Sequence, residues 1–138
     1  MNLASHAFLL SAAVTILALL LYFFMVIRVG GARGKYKIEA PAVAGHPIFE
    51  RTYRVQMNTL EQLPIFLVGL WLATIYFSRL AWLPAALGLL WVLGRFFYMQ
   101  AYIADPAKRG PGFGISALCE IALVILAIIG IVQAWSLA

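Results

Sequence analysis

The sequence predicts an all-α membrane protein, a four-transmembrane-helix bundle forming one domain over residues 1–138. Three observations carry that prediction. Of the 138 residues, 64% are hydrophobic and only 11% are charged, with a mean hydropathy of +0.96; a soluble domain is about 45–50% apolar and about 25% charged. Four apolar runs, at residues 7–27, 49–77, 82–103 and 114–135, each reach the roughly 20 residues needed to cross hydrocarbon. The charged residues fall almost entirely in the connections and at the mouths of the runs.

The first run, 7–27, has no Lys or Arg before it and is longer than the apolar part of a signal peptide, so it is read as a span. Residues 28–50 are expected to form a loop, because Gly30, Gly31, Gly34, Pro41, Gly45 and Pro47 punctuate them. The second run, 49–77, exceeds one span, so its first turns should project into the interface. Pro64 inside it removes a backbone hydrogen bond near Leu60 and should kink the helix. Residues 78–81 are a tight connection, which makes the second and third spans antiparallel neighbours. The third run, 82–103, ends in a loop over 104–113, ADPAKRGPGF, marked by Asp105-Pro106 and Gly110-Pro111-Gly112. The fourth run, 114–135, holds one charge, Glu120, expected to reach the nearby interface or pair with a loop cation.

Charge sets the orientation and narrows the function. The net charge is +5, but the cations sit in short loops rather than in a basic run with interleaved aromatics, which argues against nucleic-acid binding. Loops one and three carry Arg28, Arg33, Lys35, Lys37, Lys108 and Arg109, whereas loop two carries only Arg79. Loops one and three should therefore face the cytoplasm and both termini the other side. A single cysteine, Cys119, excludes a disulfide framework and a cysteine zinc site. His6 and His46 lack metalloprotease spacing, and no metal is expected.

The stretch ERTYRVQMNTLEQLPIF, residues 50–66, carries the chemistry. At about 100° per residue, Arg51, Arg54, Asn58 and Glu61 share one narrow helical face. On the third span Trp91, Arg95, Tyr98 and Tyr102 share another. Arg95 lies about 12 Å from the polar end of its span, and a guanidinium at that depth needs an acidic or carbonyl partner, for which Glu61 or a ligand carboxylate are the obvious choices. The polar ends of both spans converge on the cytoplasmic side. There Arg33, Arg51, Arg54 and Arg109 supply cations, Glu61 an anion, and Gln56, Asn58, Tyr98 and Tyr102 neutral hydrogen-bonding groups. A matching ligand has two anionic ends, one ammonium and several amides, because arginine binds carboxylates bidentately and Glu61 would take the ammonium. A surplus arginine could hold a thiolate: a free thiol has a pKa of about 8.5, and a neighbouring cation favours the anion. Glutathione satisfies this description, as would other small acidic peptides.

The run ERTYRVQMNTLEQLPIF, followed by an apolar span and then RFFYMQAY, resembles the MAPEG family, the membrane-associated proteins of eicosanoid and glutathione metabolism. The likeness covers nearly the whole chain. It is strongest to the branch holding microsomal glutathione transferases, leukotriene-C synthase and the lipoxygenase-activating protein. The resemblance implies a homotrimer with glutathione bound between neighbouring subunits as co-substrate, and lipophilic electrophiles or lipid hydroperoxides arriving from membrane lipid. It assigns Arg54, Gln56, Asn58, Glu61, Tyr98, Tyr102 and Arg33 to glutathione binding and Arg109 to the thiolate, a role Arg54 could fill instead. Arg51 joins the binding set on its place in the stripe. Gln62 and Gly34 replace a tyrosine and an arginine of the leukotriene enzyme, which points to general conjugation or peroxide reduction. Arg109 and the full polar stripe argue against the non-catalytic branch, whose lipid-binding or scaffold role is the alternative. The short loops and the lack of an endoplasmic-reticulum retrieval signal suggest a bacterial inner membrane.

Overall fold

The computed structural model describes residues 3–137. Four helices follow in order: α1 (Leu3–Tyr36), α2 (Pro47–Tyr76), α3 (Leu83–Ala104) and α4 (Gly110–Ser136), with a 3-10 turn at Pro106–Arg109 before α4. All four are long and apolar enough to cross a membrane. Among the described residues there is no strand. Helices α2 and α3 form the centre: each packs on the other and on both outer helices, whereas α1 and α4 scarcely meet.

The first loop is shorter than the glycine pattern suggests. Helix α1 runs on to Tyr36 and takes Gly30, Gly31 and Gly34 into its last turns. A glycine weakens a helix by about 1 kcal/mol but does not stop one. The stop comes at Lys37, whose φ of 54° is left-handed, and the Ile38 N–H returns to the Arg33 carbonyl at 3.0 Å. The connection then folds back on α1, with the His46 ring stacked on Tyr36 at 3.7 Å. His46 also starts α2: its Nδ1 accepts from the Ile48 N–H at 3.3 Å, and Pro47 occupies the first turn, where its missing N–H costs nothing. Helix α2 continues through Pro64.

The third connection is also more ordered than its proline and glycine content implies. Asp105 Oδ1 accepts from the Ala107 N–H at 3.0 Å, and the chain turns through the 3-10 segment directly into α4. Pro106 and Pro111 stand in first-turn positions, where proline starts helical structure rather than breaking it. Helix α4 therefore begins at Gly110, four residues before the apolar run that marks it in the sequence.

In the core, Phe66 of α2 stacks on Trp91 of α3 with centroids 3.9 Å apart, against Leu70 and Leu123. A polar tie between α1 and α2 crosses the apolar interior, Ser11 Oγ to Thr74 Oγ1 at 2.7 Å. Helices α3 and α4 come closest at glycines. Gly94 and Gly112 face each other so tightly that a Cβ on Gly112 would stand 2.5 Å from the Tyr98 nitrogen. The outward side chains, such as Phe23, Ile27, Leu118 and Ile128, are exposed and apolar, which suits contact with lipid.

Candidate functional site

The site is built on a charged interior wall. Arg95 is fully buried (0% exposed), and its Nη1 donates to Asn58 Oδ1 at 2.8 Å. The sequence asks for an acidic or carbonyl partner, with Glu61 or a ligand carboxylate as the obvious choices; the structure supplies a carbonyl oxygen, that of Asn58, and not Glu61. Glu61 is exposed on the open side of α2, while Asn58 faces α3 and meets the guanidinium first. The guanidinium also lies 5.1 Å from the Tyr98 ring centroid and 5.6 Å from those of Trp91 and Phe113, in cation–π range. Its Nε and Nη2 have no partner within the described residues, and neither does the buried Thr59 Oγ1.

Glu120 departs from expectation as well. It neither reaches the interface nor meets a loop cation: it is 6% exposed and accepts from Trp91 Nε1 at 2.6 Å. With its nitrogen turned to the carboxylate, the Gln62 amide donates to the two Glu120 oxygens at 2.5 and 2.9 Å. The reason is where α4 starts. Counted from Gly110, Glu120 lies about 15 Å along the helix, too deep for a short side chain to surface.

In front of this wall a cavity of about 220 Å³ opens to one side, lined by Arg54, Met57, Asn58, Glu61, Tyr98, Tyr102 and Arg109. A second hollow adjoins it through Asn58, Tyr98 and Arg109 and extends to Gly110 and Phe113. A third shares Arg54 and Tyr102 and extends to Val43, Pro47, Glu50 and Arg51 at the first connection. Together they form one cleft along the seam of α2 and α3, closed at one end by the 3-10 turn. That turn places Arg109, whose guanidinium carbon is 5.4 Å from the Tyr102 ring centroid. Among the described residues the only ion pair is Lys108–Asp105 at 3.9 Å. Arg54, Glu61 and Arg109 thus share a cavity without neutralising one another.

Three residues singled out in the sequence stand outside the cavity. Arg51 borders the third hollow, but its Nη1 donates to the Ile103 and Ala104 carbonyls at 3.3 Å each, satisfying the end of α3. Gln56 turns to α1, its Nε2 donating to Tyr22 Oη at 2.8 Å. Arg33 secures the first connection, donating to the Ala42 carbonyl at 2.7 Å with its guanidinium 4.9 Å from the Phe49 centroid. Sequence reasoning missed Met57, Gly110 and Phe113 as lining residues. Met57 and Phe113 look like ordinary apolar positions, and nothing local marks them.

Chemically, the first cavity offers two guanidinium groups and one carboxylate with no ion pair among the described residues, two phenols and an amide, and the adjoining hollow adds an apolar flank at Phe113. It can bind a small zwitterion with more than one anionic group, and hold an additional anion near Arg109. Among the described residues no group of three or more His, Cys, Asp or Glu could hold a metal ion.

Comparison with known proteins finds similarity along most of the chain. The family model described as MAPEG family matches residues 11–129. Human microsomal glutathione S-transferase 2 is 39% identical over 126 residues, covering 91% of this chain and 84% of that protein. Bovine leukotriene C4 synthase is 37% identical over 122 residues, covering 88% and 80%. An uncharacterized protein of Synechocystis sp. is 46% identical over 126 residues, covering 91% and 89%.

Proposed function

The chain belongs to the MAPEG family, and from that premise we propose that it is a membrane-bound glutathione transferase that joins the glutathione thiolate to lipophilic electrophiles. The observation that carries the reading is the set of unneutralised charges in one cavity: Arg54 and Arg109 against Glu61, with no ion pair among them. Charges left open beside hydrocarbon are costly unless a ligand meets them. Glutathione would place carboxylates on Arg54 and its ammonium on Glu61, with Asn58, Tyr98 and Tyr102 on its amides. Its thiol would then lie near Arg109, at the end of the cleft that continues to Phe113.

In the reaction, a cation beside the thiol favours the thiolate by about 1.4 kcal/mol per unit of pKa lowering. The sulfur lone pair forms a C–S bond to an electrophilic carbon. The leaving group departs with its electron pair, or in an addition the carbanion takes a proton from water. The same thiolate would reduce a lipid hydroperoxide: sulfur takes the terminal oxygen, the alcohol leaves after protonation, and a second glutathione converts the sulfenic acid to disulfide and water.

The cleft is open on one side, and Gln56 and Arg33 point away from it. Both features suit a homotrimer in which a neighbouring subunit closes each site. The cation-rich connections favour a cleft on the cytoplasmic side, and the short loops suit a bacterial inner membrane. Glutathione titrated into the detergent-solubilised protein tests the reading: a thiolate absorbance band near neutral pH and conjugation of a small aryl halide are expected. Binding of lipid without a thiolate band would instead support a non-catalytic, lipid-binding member of the fold.

A further inference from the structure

The wall behind the cleft contains a buried carboxylate and a buried guanidinium that the reaction above does not use. Trp91 links them. Its Nε1 donates to Glu120 at 2.6 Å, while Arg95 lies 5.6 Å from its ring centroid. The far side of Arg95 reaches Asn58 Oδ1 at 2.8 Å. An asparagine amide has one acceptor and one donor end. With the oxygen taken from behind, the nitrogen is left for the cavity that Asn58 lines, and within the described residues it has no partner.

From this geometry we infer that Arg95 and Glu120 are a positioning pair: Glu120 supplies the counter-charge that lets Arg95 stay ionised in the apolar interior, and Arg95 fixes Asn58 with its donor end toward the ligand. Asn58 is thereby committed to a carboxylate or amide carbonyl oxygen of the bound peptide, and it cannot rotate to accept an N–H instead. The inference rests on glutathione being the ligand for its last step, but not for the pairing itself. Neither Arg95 nor Glu120 touches the reacting atoms.

Two measurements separate the parts. The first uses no ligand. Arg95→Met leaves Glu120 as an uncompensated buried charge and should lower the melting temperature in detergent by roughly 5 °C or more. Adding Glu120→Gln, which keeps an acceptor for Trp91, should restore part of that loss. Additive losses in the double variant would overturn the pairing. The second measures glutathione. In Arg95→Met the dissociation constant and KM should rise about tenfold, the scale of one lost oriented hydrogen bond, while kcat stays within about twofold. Asn58→Asp keeps the acceptor for Arg95 but replaces the cavity-facing donor with an anion, and should weaken binding at least as much. A purely structural wall would lower the melting temperature and leave affinity unchanged; wild-type affinity in both variants would overturn the positioning role. If the wild-type protein binds no glutathione, the proposed function falls, and the melting-temperature comparison still decides the pair.

Discussion

Gly112 on α4 rests directly on the backbone of Tyr98 on α3: a Cβ there would stand 2.5 Å from the Tyr98 nitrogen and 2.8 Å from its Cα. The contact fixes the distance between the tyrosine side of the cleft and the turn that carries Arg109. Gly112→Ala should push the helices apart and lower stability by about 1–3 kcal/mol, the usual scale of overpacking against backbone. Glutathione binding should weaken with it. Gly114 has nothing within 4 Å of its would-be Cβ, so Gly114→Ala should leave both properties at or above wild type. Thermal unfolding and ligand titration of the two variants check the contrast.

Arg109 lies over the Tyr102 ring and has no carboxylate partner among the described residues. Arg109→Ala should remove the thiolate band at neutral pH and cut conjugation by about 100-fold. The pH profile gives the sign. A cation favours the ionised thiol, so the wild-type rate should rise with pH through a midpoint below the free-thiol value of about 8.5, and the variant's midpoint should move up toward it. Unchanged absorbance in the variant would transfer the role to Arg54.

Arg54 and Glu61 line the same cavity with opposite charges. Arg54→Ala should weaken glutathione about tenfold or more, and higher salt should weaken wild-type binding through screening of these exposed groups. Glu61→Gln should erase the preference for glutathione over an analogue lacking the amino group. Equal discrimination by wild type and variant would show that Glu61 does not receive the ammonium.

Arg51 is a contrasting case, because its guanidinium is committed to the Ile103 and Ala104 carbonyls at the end of α3. Arg51→Ala should lower the melting temperature by a few degrees, in line with losing about 1 kcal/mol of end-capping. Its effect on glutathione affinity should be under about threefold, well below that of Arg54→Ala. A loss equal to that of Arg54→Ala would instead place Arg51 on the ligand.

Hydropathy alone determined the four helices, because hydrocarbon demands long apolar runs with every backbone group bonded internally. Helical periodicity likewise placed Arg54, Asn58 and Glu61 on one face and Tyr98 and Tyr102 on another, since the side-chain angle per residue is fixed once the helix is granted. Tertiary structure decided what each polar group meets. Gln56 turns to Tyr22, Arg51 to the end of α3, and Arg95 to Asn58 rather than Glu61, because each choice depends on how neighbouring helices are phased and where they begin. Glu120 shows this most plainly: it is buried beside Trp91, a partner on another helix that the residues around Glu120 do not reveal.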